Sequence, residues 1–183
     1  MKELNFMLSR EHIDFKPAQA YKRGDSVECT ILAYKDARTD MAILDDCIGS
    51  MDWQCEYKRD SKGMLQCGIG IWNEGRGEWV WKWSNGTPSQ FESEKGEYSD
   101  AFKRAGFMWG IGRCLYDFPE IKMMLMDNEY ALEGNKVKVN PWFKPNNFYW
   151  KIEGDTIEDL HIQCAQKFGK EWKTRFDNKP YKK

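Results

Sequence analysis

The sequence predicts an α+β fold: an antiparallel three-stranded β-meander packed on one long helix, with further helices and a hairpin around it. Three observations carry this. Residues 53–83 alternate with period two between glycine-bearing turns, residues 95–116 repeat with helical period, and one apolar face of that helix needs a sheet to cover. The chain has 183 residues, 41% hydrophobic and 15% aromatic with nine Trp, enough to bury a core without disulfide or metal support. It is too interrupted by charge for a membrane span. Its start, Met1 to Arg10, has no apolar run ahead of a small-residue cleavage site, which predicts a cytoplasmic protein.

Taken in order, Thr39 or Asp40 caps a short helix over 39–49, with Met41, Leu44, Cys47 and Ile48 on one face and Gly49 as its stop. The meander follows as Trp53 to Arg59, a turn at Asp60 to Gly63, Met64 to Trp72, a turn at Asn73 to Gly77, and Glu78 to Trp83. Trp79, Trp81 and Trp83 then share one side of the third strand, Val80 and Lys82 the other. The Trp face has two readings, a surface for the amphipathic helix or a platform for stacking bases, and the helix's need for such a surface favours the first. A polar loop, Ser84 to Glu94, leads into the long helix, about 28 Å if it runs to Tyr116. There Tyr98, Ala101, Phe102, Ala105, Met108, Trp109, Gly112, Leu115 and Tyr116 form the apolar sector, with Lys103 opposite. Asp100, Arg104, Phe107, Ile111 and Cys114 lie on or beside the Lys103 face, so the outward side is basic at one end and apolar farther along.

After Pro119 the pattern weakens. Tyr130 to Val139 reads as a hairpin and Asn140 to Asn147 as a loop. Thr156 to Phe168 reads as a helix aligned on Ile157, Leu160, Cys164 and Phe168, ended by Gly169, with a loose basic tail over 170–183.

The net charge of -1 excludes a uniformly basic nucleic-acid binder, so any such contact must use a local basic stripe. Lys103-Arg104 is the candidate for that stripe: an isolated pair of this kind reads as a solvated face with routine ion pairs, but here two cations follow an aromatic meander on a rigid helix whose opposite face is committed to packing, as backbone phosphates require. Lys58, Arg59 and Lys62 at the first turn, with Arg76 and Lys82 at the second, form a second phosphate track or serve only solubility. Gly68-Ile-Gly70 and Gly110-Ile-Gly112 do not complete a nucleotide-binding motif, and no P-loop is present. Six scattered Cys and two His, His12 and His161, show no metal-ligand spacing, and no cofactor is expected. Neither His stands near a nucleophile in pattern, so nothing compels an enzyme. Asp45-Asp46, adjacent on a helix and about 100° apart, read as structural acids. With carboxylates such as Asp100 they would serve the rival reading, a small metal-dependent nuclease.

Two segments resemble the Rad fifty-two family of single-strand annealing proteins, including the phage Sak-type members. Ala33 to Trp53 resembles its entry segment, with Arg38, the short helix, Gly49 and Trp53 in the family's order. Ser99 to Asp117 resembles its long-helix signature, in which Lys103-Arg104-Ala105 is followed by Gly-x-x-Leu115-Tyr116. The resemblance implies a β-β-β-α core, here within 33–119 of an annealing domain over 1–169. It implies assembly into rings or helical filaments, and a groove holding one DNA strand by its backbone. Arg38, Lys103 and Arg104 match the strand-contacting positions; Phe107 departs where relatives carry another basic residue, with Arg113 as a compensating candidate. The expected function is ATP-independent single-stranded DNA binding and annealing in recombination and repair, phage-encoded, without bond-breaking chemistry. Expected partners are single-stranded DNA and further copies of the chain, with a single-strand-binding protein or an exonuclease as candidates beyond these and no membrane. A structural ring that does not bind DNA is the remaining alternative.

Overall fold

The structure, a computed structural model, describes residues 3–87 and 93–178. In chain order its elements are β1 (Asp14–Arg23), β2 (Ser26–Tyr34), α1 (Ala37–Cys47), β3 (Trp53–Arg59), β4 (Leu65–Asn73), β5 (Glu78–Asn85), α2 (Ser93–Trp109), β6 (Ile121–Leu125), β7 (Tyr130–Glu133), β8 (Lys136–Val139), β9 (Tyr149–Glu153), β10 (His161–Phe168) and β11 (Glu171–Asn178). The strands pair antiparallel throughout. Among the described residues no helix is long and apolar enough to cross a membrane. The chain divides into two compact units, one comprising the segment up to Phe6 with Lys35–Tyr116, the other Met7–Tyr34 with the chain from Asp117 onward.

In the first unit β3, β4 and β5 form a sheet in sequence order. Its register pairs Trp53 with Ile71 and Trp72 with Trp79. Leu65, Cys67, Ile69 and Ile71 alternate onto one face and are fully buried, as are Ala101, Phe102 and Ala105 of α2, which packs on this sheet. Lys82 and Tyr57 lie on the same face, for the Lys82 ammonium donates to the Met108 carbonyl at 3.0 Å and Tyr57 meets Tyr98 of α2. The Trp face is therefore the one turned away from the helix, contrary to the favoured expectation. Gly68 and Gly70 explain it: they stand opposite Trp83 and Trp81, and an added Cβ would lie 2.5 Å and 2.8 Å from those rings. The indoles lie across the glycine backbone, Trp81 stacked on Trp83 with centroids 5.7 Å apart, so this face fills itself.

Helix α2 ends at Trp109 rather than Tyr116. Gly110 and Gly112 take φ of 112° and 75°, open to glycine at little cost, and the Ile111 N–H closes the helix on the Gly106 carbonyl. Arg113 to Tyr116 then form a separate 3-10 turn. The turn carries Ile111 inward, so Ile111 and Cys114 are core residues and not part of an outward apolar stripe. Helix α1 is capped by Asp36, which accepts the Thr39 N–H at 2.9 Å; its buried positions are Asp40, Ile43 and Leu44, and Met41 is exposed. Gly49, at φ 109°, ends it as predicted.

In the second unit β1, β2 and β6 form one sheet and β9, β10 and β11 another; β7 and β8 make the predicted hairpin. Its core gathers Phe15, Val27, Cys29, Ile31, Ile121, Met123, Trp150, Ile162 and Cys164. A buried Glu129 meets Arg175 at 2.7 Å. The helix expected over 156–168 is instead a bend followed by β10, because Ile162 and Cys164 alternate inward with Gln163 outward. Nor are residues 171–178 a tail. Gly169-Lys170 is a two-residue turn with glycine at positive φ in first place, which hairpins favour, and it returns the chain as β11. Residues 88–92, where part of the polar loop is expected, and 179–183, the end of the expected tail, lie outside the described residues.

Candidate nucleic-acid interface

Helices α1 and α2 of the first unit pack together over an ion pair with almost no solvent contact. The Lys35 ammonium lies 2.5 and 2.6 Å from the two Asp40 carboxylate oxygens, the side chains 8% and 0% exposed. Two glycines make room for it. A Cβ at Gly106 would come within 2.7 Å of the Asp40 carboxylate, and one at Gly112 within 2.2 Å of Lys35 Cε. Burial pushes the Asp40 carboxyl up to about 6, against the pull of Lys35 and, more weakly, of Lys103. Burial likewise pushes the Lys35 ammonium down, Asp40 opposing and Lys103 adding repulsion. The Lys103 cation therefore bears electrostatically on this nearly water-free pair. From the sequence Asp40 reads only as a cap, and Lys35 carries no mark of burial. Asp40 stands three and four residues before Ile43 and Leu44, and that spacing was the available signal for an inward acid.

Arg38 occupies the first turn of α1 and is exposed; Lys103 is half-buried and Arg104 exposed, adjacent on α2. Neither Arg38 nor Lys103 makes an ion pair among the described residues. Arg104 Nε donates to Asp100 at 2.8 Å, one turn earlier, and Asp100 also accepts the Thr87 N–H. With the Arg104 side chain 55% exposed, that pair is weak and exchangeable.

The other predicted cations divide. Lys58 lies on the Trp face, its ammonium 3.6 Å above the Trp83 ring, and Lys62 is exposed at the first turn. Arg76 stands 3.7 Å from Glu78 on the surface. Arg59, Lys82 and Arg113 have structural tasks. Arg59 donates to the Gly63 carbonyl and pairs with the buried Glu97 of α2 at 3.1 Å. Lys82 and Arg113 both donate to the Met108 carbonyl, and Arg113 Nε to that of Phe107, supplying the last turn of α2 with its missing donors. The cations of the meander are thus divided between packing and surface, and Arg113, exposed, has donors engaged by the end of α2. Phe107 stacks edge-on against the exposed Tyr116.

Asp45 accepts the Trp53 indole N–H at 2.7 Å. Among the described residues no group of three or more His, Cys, Asp or Glu is placed to hold a metal ion.

Residues 60–132 match the model of a family described as the Rad52/22 family double-strand break repair protein. Over those residues the chain is similar to that family. Comparison with curated proteins and with solved structures gives no match. The Rad52/22 segment spans β4, β5 and α2 and continues to β7, so it holds Lys103, Arg104, Gly106 and Gly112. Arg38, Lys35 and Asp40 precede it.

Proposed function

We propose that the chain works in DNA recombination and repair by binding single-stranded DNA through its phosphates and annealing complementary strands without ATP. The observation that carries this is the Rad52/22 match over the helix bearing Lys103 and Arg104. Arg38, Lys103 and Arg104 supply the phosphate contacts: all three stand on rigid helices, and none is committed to a buried partner. Annealing asks only that a strand be held extended and unpaired until register is found, so fixed cations suffice and no bond need break.

Each neutralised phosphate releases condensed counterions, so affinity depends on salt. Lys103→Ala and Arg104→Ala are each expected to weaken single-strand binding by about tenfold to a hundredfold, the scale of one charge-assisted hydrogen bond. Each also lowers the slope of log affinity against log salt by about 0.7. Fluorescence anisotropy over a salt series checks both, with thermal unfolding to show that the variants fold. Normal binding and annealing by both variants would overturn the reading. We further propose homo-oligomers, with Phe107 and Met108 at the end of α2 and Tyr116 of the following 3-10 turn as the apolar contact; a monomer by sedimentation, with and without oligonucleotide, would count against it.

A further inference from the structure

The open face of the β9-β10-β11 sheet has the composition of a nucleobase platform. Its register pairs Tyr149 with Ala165 and Ala165 with Thr174, and in the next row Lys167 with Trp172. Paired residues share a face, so these side chains stand together, while Trp150, Ile162 and Cys164 line the buried side. Ala165 is too small to fill the space between the outer strands. Over it Tyr149 and Trp172 meet edge-to-face, centroids 5.9 Å apart, yet 55% and 56% exposed. The Lys167 ammonium lies 6.0 Å from the centre of the Trp172 ring, and Lys170 is exposed in the adjoining turn. Neither lysine makes an ion pair among the described residues. The acids of this face are at its far end, where Glu153 takes Lys151 at 2.8 Å and Asp177 takes His161 at 2.8 Å.

We infer that this surface stacks unpaired bases of single-stranded DNA on Tyr149 and Trp172, with Lys167 and Lys170 toward the phosphates. The inference rests on the single-strand binding proposed above and gives the second unit a part in it. Charge complementarity selects the occupant. A single strand offers flat rings and regular negative charge, and this edge of the sheet offers open aromatic faces beside unpaired ammonium groups, the combination that binds single strands without base-specific hydrogen bonds.

The test compares an oligothymidine with an abasic oligomer of the same length and charge, using wild type, Trp172→Ala, Tyr149→Ala and Trp172→Phe. Wild type should prefer the oligothymidine, and Trp172→Ala should shrink that preference by at least about fivefold, the weak end of one base–aromatic stack. Tyr149→Ala should shrink it in the same sense, Trp172→Phe should largely keep it, and the salt dependence should not move. An undiminished preference in both alanine variants overturns this inference and leaves the phosphate-binding proposal standing. A change in oligomer size with unchanged affinity also overturns it, by showing that the face binds a second copy of the chain. Failure of wild type to bind either oligomer overturns both.

Discussion

The Lys35–Asp40 pair is the residue-scale feature with the largest energetic consequence. Removing one partner leaves the other charge buried alone, which costs about 3 to 5 kcal/mol, whereas apolar replacement of both is often near neutral. Lys35→Met and Asp40→Leu should each destabilise on that scale and the double variant much less, as urea unfolding would show. Such non-additivity is the mark of a coupled pair. The pair also has a pH signature. The Asp40 carboxyl stands near 3.8 when exposed and is pushed up to about 6 by burial, so the native state holds its proton more tightly than the unfolded chain does. That contribution to stability is fully present below 3.8 and is lost as pH rises through about 6. Wild type should therefore lose stability relative to Asp40→Asn over this range, measured as unfolding free energy against pH; a constant difference would contradict the assignment.

Among the elements, β4 and β5 are specified by complementary sizes rather than by strand propensity. Glycine in a strand interior ordinarily weakens it, yet Gly68 and Gly70 admit the rings of Trp83 and Trp81. Gly68→Ala should destabilise by about 1 to 3 kcal/mol through overpacking. In a Trp83→Ala background the same substitution should be nearly neutral, a difference that a double-mutant cycle by thermal unfolding reads directly. If the cost were the same in both backgrounds, the ring would not be its cause, and since replacing a strand glycine lowers the entropy lost on folding, the clash would have to lie elsewhere. At the end of α2 the same economy of glycine appears, for Gly110 and Gly112 turn the chain while Lys82 and Arg113 meet the carbonyls left open. Those two side chains thus help to close the helix.

At the scale of the whole molecule, a net charge of -1 is compatible with DNA binding when cations are local and salt-sensitive. The pure protein should accelerate annealing of complementary oligonucleotides with EDTA present and no nucleotide added, and the acceleration should fade as salt rises, followed by fluorescence quenching between labelled strands. Clean DNA cleavage with Mg²⁺ or Mn²⁺, lost in Asp46→Asn, would instead support the nuclease. The second unit adds two three-stranded sheets and the β7–β8 hairpin, and its open aromatic face is where the single-strand reading extends beyond the matched segment.

What the sequence by itself determined is local. Alternation between glycine turns dictated β3 to β5, the hairpin at 130–139 followed from its own pattern, and Lys103-Arg104 with Arg38 stood out through motifs on single helices. What only the tertiary structure decided depends on partners distant in sequence. Which face of β5 the helix covers turned on Gly68 and Gly70 across the ladder, and the burial of Lys35 on Gly106 and Gly112 far along the chain. The segment 156–168 shows the limit: Ile157, Leu160, Cys164 and Phe168 have helical spacing, Ile162 and Cys164 have strand spacing, and pairing with β9 and β11 chose the strand. Periodicity records which residues prefer burial, but the neighbour that buries them is supplied by the rest of the fold.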